Sequence, residues 1–338
     1  MTGRSVTEGH RAATTLELLF DLVMVVAVGT AASGLHHAIV HGQLGIGIPA
    51  YCFCFFSIWL AWWNFTWFAS AYDTDDTRYR ITTFIQMTGA MLMALGQREM
   101  FSPDGDMTLG VVGYVIMRLA MVSQWLRAAK EDPERKYTSR TYALGITVAQ
   151  VLWILLLLVP RSHSLYNAAA ICIMLLELVV PFIAEHHGRI PWHPHHIAER
   201  HGLLVIIVLG EGVLGSINAT GLIDRSGPLL QWLPSVLAVC IGTAALTFAL
   251  WWHYFHVPFG EILEHNRQTS VPFGYLHYFI FASLAAMGAG FEVLADAIAK
   301  GWDGKLLVGA ALTIFSAIVI YFLTMLLMRS RILRRLNV

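Results

Sequence analysis

Ten long apolar segments follow one another along this chain, and they constrain its fold more than any other feature. Each approaches the roughly 20 residues that an α-helix needs to cross the hydrocarbon core of a bilayer. Only 13% of the residues are charged, whereas a soluble domain carries roughly 25%. The sequence therefore predicts an all-α polytopic membrane protein with about ten transmembrane helices in a single membrane domain, 1–338. The predicted spans are 15–35, 48–72, 80–99, 107–129, 139–159, 165–184, 199–219, 230–256, 271–297 and 305–328.

Lysine and arginine are unevenly shared between the two sides of the predicted bundle. The side that holds both termini carries 16 of the 22 basic residues, the other side carries 5, and Arg118 lies within a span. Because cytoplasmic connections are enriched in Lys and Arg, both termini are predicted to be cytoplasmic. The 22 acidic residues balance the 22 basic ones, so nothing indicates a nucleic-acid partner.

Two parts of the sequence resemble each other at an offset of six spans. Glu17 opens the first apolar run and Glu199 opens the seventh, and a Trp-Trp pair ahead of charged residues follows in the next span of each part. Since the offset is even, the two copies are expected to run parallel, related by an axis along the membrane normal. The predicted division is a first repeat over 14–130 (helices 1–4), linker helices over 131–196 and a second repeat over 197–330 (helices 7–10).

The second span ends in an aromatic stripe that leads directly into acidic residues. Trp59, Trp63 and Trp67 recur at every fourth position, so a helix places them on one face. One interpretation is a Trp-rich membrane helix that ends in a solvated turn. The other is an aromatic-walled cavity with an acid or metal site at its mouth. The polar residues that follow the stripe are Asp73, Asp75, Asp76, Arg78 and Arg80.

The Asp-x-Asp-Asp pattern over 73–76 resembles the acid motif of class II terpene cyclases, in which an aspartic acid protonates an alkene inside an aromatic cavity. Aromatic faces stabilise cations, and the neighbouring tryptophans supply such faces. The same carboxylates could instead hold Mg²⁺ on a diphosphate, because hard oxygen ligands suit that ion. Both interpretations favour an amphipathic lipid or small-molecule substrate, with an isoprenoid as the leading class. The candidate catalytic residues are Asp73, Asp75, Asp76, Glu17 and Asp21, and the candidate substrate-binding residues are Trp59, Trp63, Trp67, Arg78, Arg80, Glu199, Arg200 and Glu211.

Ionisable residues also occur inside the predicted spans. Glu17 and Asp21 are one helical turn apart on one face of the first span, so both are expected to face the bundle or a wet cavity. Glu211 lies about twelve residues into the seventh span, near the predicted midplane. Arg118 is expected at a similar depth. The two side chains either pair and lock the bundle, or Glu211 belongs to a proton or substrate site.

A histidine-rich connection over 186–201 precedes the seventh span. His195 and His196 lie four and three residues before Glu199, a spacing that can hold a divalent metal on a helix. The alternative is a solvated helix cap with Glu199 in the first turn, where a carboxylate interacts favourably with the helix dipole. The sequence leaves the presence of a metal here open.

Three separated motifs resemble the bacterial low temperature requirement protein A family. They are Leu16-Glu-Leu-Leu-Phe-Asp-Leu-Val23, Phe68-Ala-Ser-Ala-Tyr-Asp-Thr-Asp-Asp76 and His196-Ile-Ala-Glu-Arg-His-Gly-Leu-Leu-Val-Ile-Ile-Val-Leu-Gly-Glu211. The resemblance implies a multi-pass protein of the bacterial inner membrane. It implies no agreed activity, because the family is named for a growth phenotype. Gly212 stands where the family usually has serine.

Three classes of function fit these observations. A membrane-embedded enzyme would gather its polar groups at one edge of an aromatic cavity, and the acidic residues after the second span fit that arrangement. A proton-coupled secondary transporter would place its site at the midplane between repeats, which fits Glu211 and the glycines around it. A non-catalytic membrane protein that supports growth in the cold is the third. The one-sided clustering of carboxylates favours the enzyme.

Overall fold

The computed structural model describes residues 1, 3–4, 11–161, 165–223 and 225–333. Ten long α-helices and one short one, α9, account for most of these residues. In chain order, α1–α11 are Thr15–Val40, Leu44–Tyr72, Thr77–Gln97, Thr108–Glu131, Lys136–Leu156, Tyr166–Glu185, Pro194–Gly221, Leu229–Phe255, Phe259–His265, Ser270–Ala299 and Gly304–Leu333. Each predicted span coincides with one long helix, so the all-helical polytopic fold class is confirmed.

Nine of the described helical segments are long and apolar enough to cross a membrane. The remaining long helix, α3, is not among them, and it carries buried polar residues such as Gln86 and Gln97. Its outer face is nevertheless apolar, with Phe84 63% and Met91 57% exposed. A helix that hides polar groups and exposes apolar ones suits a lipid surrounding. The tenth crossing, through α3, stays a prediction.

Large apolar side chains cover the outer faces of the helices, among them Leu144, Leu230 and Phe315. Soluble proteins rarely expose apolar surface on this scale, whereas a bilayer requires it. The orientation in the membrane stays a prediction from the basic residues. Two of those residues, Arg334 and Arg335, lie outside the described part of the chain.

The chain forms two compact units. Unit 1 comprises Met1–Ala27 and Ser57–Ile197, and unit 2 comprises Val28–Phe56 and Ala198–Val338. Helices α1 and α2 each contribute one part to each unit. The helices predicted as a linker are α5 and α6. Within unit 1, α5 packs against α4 and α6 packs against α5. The parallel repeat over helices 1–4 and 7–10 stays a prediction.

Close helix contacts in unit 1 depend on glycine. A Cβ atom built on Gly96 of α3 would lie 2.1 Å from the backbone nitrogen of Gly110 in α4. A Cβ on Gly113 would lie 2.2 Å from the backbone nitrogen of Met93. Small residues at such crossings let two membrane helices approach closely enough for dense packing. This contact fixes α3 against α4 and thereby positions the loop that precedes α3.

Helices α10 and α11 pack against each other in unit 2. Their contact includes a small apolar cluster of Val293, Ala297, Leu306 and Ala310. Gly290 lies against Ile314, whose Cγ1 atom would be 2.6 Å from a Cβ at that glycine. The two helices therefore form a firm scaffold on which the polar residues of α10 are carried.

Candidate functional sites

The acidic turn over 73–76 joins α2 to α3 in unit 1. The Asp73 carboxylate accepts a hydrogen bond from the backbone N–H of Asp75 at 2.9 Å, which closes a short turn. Asp75 occupies a left-handed backbone conformation with φ of 49°. The Asp76 carboxylate then accepts the backbone N–H of Tyr79 at 2.8 Å and caps the first turn of α3. Asp73 and Asp76 thus supply the local bonds that shape the turn between α2 and α3.

Two arginines bind the outer carboxylates of this turn. Arg80 donates to both oxygens of Asp75, at 2.8 and 2.6 Å. Arg127 of α4 donates to both oxygens of Asp76, at 2.9 and 2.5 Å. These charge-assisted bonds hold the pKa of both carboxyl groups below its usual range. Arg78, which was also predicted to bind substrate, is exposed.

The geometry of this turn bears directly on acid catalysis by Asp75 or Asp76. A general acid must hold a proton near neutral pH. A lowered pKa does the opposite, because the arginine stabilises the charged form of each carboxyl group. The arrangement does not favour Asp75 or Asp76 as the proton donor of a cyclase-like reaction.

Replacing Asp76 with alanine is expected to lower the free energy of unfolding by about 1 kcal/mol, the usual cost of a lost helix cap. The Arg127 pair adds little, since the Asp76 side chain is 40% exposed. Because the folded pKa of Asp76 is depressed, its stabilisation is present above the unfolded pKa and is lost as the pH falls toward the folded pKa. Unfolding of the purified protein in detergent, followed at pH 7 and in acid, measures both effects. Asp76→Asn keeps a capping oxygen, and an equal loss in that variant would contradict the capping role.

The predicted aromatic stripe lies on one buried face of α2. The ring centroids of Trp59 and Trp63 are 5.9 Å apart, and those of Trp63 and Trp67 are 4.9 Å apart. Trp67 continues the series to Trp192, with centroids 6.1 Å apart. The three predicted tryptophans are at most 6% exposed. Their rings pack against one another, so the stripe is a column of aromatic contacts in unit 1.

A buried cluster around Arg11 lies beside the acidic turn. Arg11 donates to the backbone oxygens of Ser70 at 2.6 Å and Ala69 at 3.1 Å, which are carbonyls of the last turn of α2. Its guanidinium is also 3.4 Å from Asp73 and 3.7 Å from Glu17. Burial and the nearby Glu17 charge raise the pKa of Asp73. Of the three aspartates, Asp73 is thus the one inclined to keep a proton.

Glu17 and Asp21 are fully buried and have different partners. Glu17 and Thr14 form a capping box, in which Glu17 accepts the Thr14 backbone N–H at 2.7 Å and Thr14 accepts the Glu17 backbone N–H at 3.3 Å. The Glu17 carboxylate also lies 3.1 Å from His196 Nε2. Asp21 accepts a hydrogen bond of 2.6 Å from the indole N–H of Trp62. Both predicted catalytic carboxylates are therefore built into unit 1 by specific bonds.

The histidine-rich segment differs from the expected solvated cap. Helix α7 begins at Pro194, because proline fits the first helical position, where its missing N–H is not needed. Glu199 therefore lies beyond the first turn, and the predicted first-turn placement is wrong. His193 and His196 are buried, although His186 and His187 are exposed. The solvated interpretation holds only for the first part of the segment.

The remaining residues of this segment were predicted to bind substrate or metal. Glu199 is half-buried and Arg200 is fully buried at the start of unit 2. Among the residues that the structure describes, no three His, Cys, Asp or Glu side chains converge as metal ligands would. Within the described residues, the predicted pair of His195 and Glu199 is thus not joined by a third metal-binding side chain.

Arg118 pairs with Glu177, not with Glu211 as one interpretation of the sequence had it. The Arg118 guanidinium is 3.2 Å from the Glu177 carboxylate, and both residues are 2% exposed. Tyr114 donates to the same carboxylate at 2.6 Å, and Trp153 donates at 2.9 Å. Gln150 adds a bond of 3.3 Å. Glu177 is therefore the centre of a buried polar network that joins α4, α5 and α6.

Glu211 belongs to a group of carboxylates in unit 2. It is half-buried. It lies in the second half of α7 because that helix starts earlier than predicted. Glu292 of α10 lies at the same crossing, since its Cγ atom would be 3.5 Å from a Cβ at Gly215, one turn after Glu211 on α7. His36, near the end of α1, lies 3.4 Å from Glu292 through Nδ1 and 2.9 Å from Asp296 through Nε2. One histidine thus connects two carboxylates that are one turn apart on α10.

Glycines let α7 and α10 approach each other at this group. A Cβ on Gly288 would lie 3.3 Å from the backbone carbonyl carbon of Glu211, and a Cβ on Gly215 would lie 2.9 Å from the Gly288 backbone oxygen. On α1, a Cβ on Gly29 would lie 3.1 Å from the Glu211 carboxylate. Gly212, where a serine was expected, has Met287 Cε 3.3 Å from its Cβ position. The carboxylates are therefore held at a crossing of small residues.

Sequence reasoning did not identify Arg11, His36 and Asp296 as site residues. Arg11 lies in a polar segment that carries no span, and nothing in its spacing indicates a return to the end of α2. A signal for Asp296 was present, since Glu292 and Asp296 are four apart in an otherwise apolar helix. His36 carries no such pattern.

These helices and buried ionic groups define a multi-pass membrane protein with two polar sites, one in each unit. The chain matches the family model of the bacterial low temperature requirement A protein over residues 12–338, and it belongs to that family. The resemblance drawn from three sequence motifs is therefore confirmed.

One curated relative is an uncharacterized protein of Rhizobium meliloti (strain 1021), RA0937. It is 28% identical over 263 residues, which cover 76% of this chain and 61% of the relative. The chain thus spans about three-fifths of that relative's length. No solved structure matches the chain.

Proposed function

We propose that the protein is a proton-coupled secondary transporter in which Glu211 carries the proton. The observation that supports this most is that Glu211 and Glu292 both lie at the α7–α10 crossing, where Gly288 contacts the Glu211 backbone and Gly215 contacts the Glu292 side chain. An ionisable side chain within a membrane helix is costly, so its presence favours a functional role. Two carboxylates at close range are unfavourable when both are charged, and this favours a state that retains one proton.

His36 provides the next step of a proton path. Its two ring nitrogens face Glu292 and Asp296, at 3.4 and 2.9 Å. An imidazole can accept a proton at one nitrogen and release one from the other, which makes histidine a proton relay. The series Glu211, Glu292, His36 and Asp296 runs from within α7 toward the C-terminal end of α10. Alternating protonation along this series would couple proton movement to a change in helix packing.

The acidic turn of unit 1 supports the enzyme alternative less well. Asp75 and Asp76 are bound by arginines, and the tryptophans of the stripe pack against one another. Only Asp73, buried and with a raised pKa, keeps the property of a general acid. The enzyme therefore remains a second candidate that depends on Asp73.

Infrared spectroscopy of the purified protein in liposomes tests the proton carrier without knowledge of the substrate. At neutral pH we expect a band from a protonated carboxyl group that disappears in Glu211→Gln. Glu261→Gln is the matched control, because Glu261 is an exposed glutamate of the same unit. A carboxyl band that persists unchanged in Glu211→Gln contradicts the assignment.

Transport in the same liposomes then tests coupling. A substrate found by screening small organic ions should move protons in the wild type and the Glu261→Gln variant. In Glu211→Gln, substrate exchange should persist while proton movement is lost. Proton movement that survives in Glu211→Gln would overturn the proposal. Conversion of a prenyl substrate that is lost in Asp73→Asn would instead support the enzyme.

A further inference from the structure

A basic groove lies where α4 ends and α5 begins in unit 1. It has a volume of about 360 Å³. Its walls combine three positively charged side chains with three apolar ones, namely Lys130, Lys136, Arg140, Leu126, Ala129 and Pro133. The groove is at the end of two helices that suit a membrane crossing, so it lies at the level of lipid headgroups.

The charge of this groove is not neutralised within the described part of the chain, where Lys130, Lys136 and Arg140 make no ion pair. The carboxylates nearby are engaged elsewhere. Glu131 is bound by Arg127 at 3.0 Å and by the N-terminal amine. Asp132 and Glu134 are both bound by Arg135, at 3.1 and 3.2 Å. Three unneutralised cations around one groove favour an anionic ligand.

An apolar surface continues from the groove along α5. After Arg140 along α5 come Leu144, Val148 and Val151, at intervals of three or four residues, which places them on the same helix face. These three side chains are 66%, 42% and 50% exposed. Leu126, in the wall of the groove on α4, is 52% exposed. A ligand with a negative head and an apolar chain would contact the groove and this surface together.

We propose that the groove binds the phosphate headgroup of an anionic glycerophospholipid, with an acyl chain along α5. Basic pockets between membrane helices at the headgroup level provide the charge for such binding, and each Lys or Arg contributes roughly a fivefold preference for the anionic lipid. The contrast with Arg127 and Arg135 supports the assignment, because those two neighbours are occupied by carboxylates. The site is separate from the residues of the proposed transport function and does not depend on them.

Native mass spectrometry of the full chain, delipidated and supplied with defined lipids, tests the site. The wild type is expected to retain phosphatidylglycerol or cardiolipin in preference to phosphatidylcholine. The triple variant Lys130→Gln, Lys136→Gln, Arg140→Gln should lose about tenfold to a hundredfold of that preference. The control variant Arg98→Gln, Lys300→Gln, Lys305→Gln removes the same charge from other connections and should keep it. Each variant is compared only if it elutes as a monodisperse, helical protein. If the triple variant does not, the three single substitutions are measured in its place.

Three results would overturn the proposal. The first is equal retention of phosphatidylcholine and phosphatidylglycerol by the wild type. The second is an unchanged lipid preference in the triple variant and in each single substitution. The third is displacement of the lipid by millimolar inorganic phosphate with equal occupancy, which would make the groove a site for soluble anions. Failure of the transport experiments would leave the lipid result unaffected, since different residues and a different readout are involved.

Discussion

Glu177→Ala is expected to lower the free energy of unfolding by about 3–5 kcal/mol. The carboxylate of Glu177 is the partner of buried Arg118 and accepts hydrogen bonds from Tyr114, Gln150 and Trp153. Its removal leaves a buried positive charge without a counter-ion and several donors without acceptors. Each lost partner adds to the cost, because such groups cannot find water inside the unit. Reversible unfolding of the purified protein in mixed micelles measures the change.

A double variant separates the charge effect from the loss of packing. Glu177→Leu combined with Arg118→Leu removes both ions together, and it should recover a large part of the stability lost in Glu177→Leu alone. Glu177→Gln keeps the shape and one acceptor oxygen, and it should be intermediate. A double variant that is as unstable as the single one would show that the ion pair is not the source of the effect. Unchanged stability of Glu177→Ala would contradict the network altogether.

Arg11→Ala is expected to cost a similar amount, about 3–5 kcal/mol at neutral pH. Arg11 is 6% exposed, and its guanidinium lies between the carbonyls of Ser70 and Ala69 and the carboxylates of Asp73 and Glu17. Without it, two buried carboxylates face each other, and the last turn of α2 loses a cation that interacts favourably with its dipole. Arg11→Lys keeps the charge but not the planar fork, so its loss should be smaller.

The pH dependence of Arg11→Ala follows from Asp73, whose pKa is already raised in the folded wild type. A group with a raised folded pKa contributes stability that is present below its unfolded pKa, about 3.9, and is lost as the pH rises through the folded pKa. Removing Arg11 takes away a positive charge beside Asp73, so it raises the folded-state pKa of the Asp73 carboxyl group further. The stability deficit of Arg11→Ala should therefore shrink as the pH is lowered from 7 toward 5. A deficit that does not change with pH would contradict this account, and Asp73→Asn in the same background should abolish the pH dependence.

The acidic turn illustrates why sequence and structure lead to different functional emphasis. The sequence has Asp73, Asp75 and Asp76 shortly after an aromatic stripe, and the structure assigns them to the turn that follows α2. Yet Arg127, about fifty positions later in the chain, binds the Asp76 carboxylate. Arg11, which precedes the turn in the chain, binds the buried carboxylate of Asp73. A local motif contains no information about such distant partners, although these partners decide which carboxyl group can keep a proton.

The sequence by itself determined the ten long helices and their apolar character, which indicates a membrane as the solvent. Apolar runs near 20 residues leave no alternative to helices, because the backbone must satisfy its own hydrogen bonds in lipid. The spacing of Trp59, Trp63 and Trp67 likewise determined a shared face, since helical periodicity is a local property.

Only the tertiary structure decided the partners of the buried charges. Arg118 could pair with any glutamate at a similar depth, and the packing of α4 against α5 and α6 selected Glu177. The same holds for Glu211, because the glycine contacts between α7 and α10 place it at the same helix crossing as Glu292. Depth along one helix follows from the sequence, whereas the neighbour at that depth depends on how each helix is rotated about its axis. That rotation is set by the packing of many small residues at once.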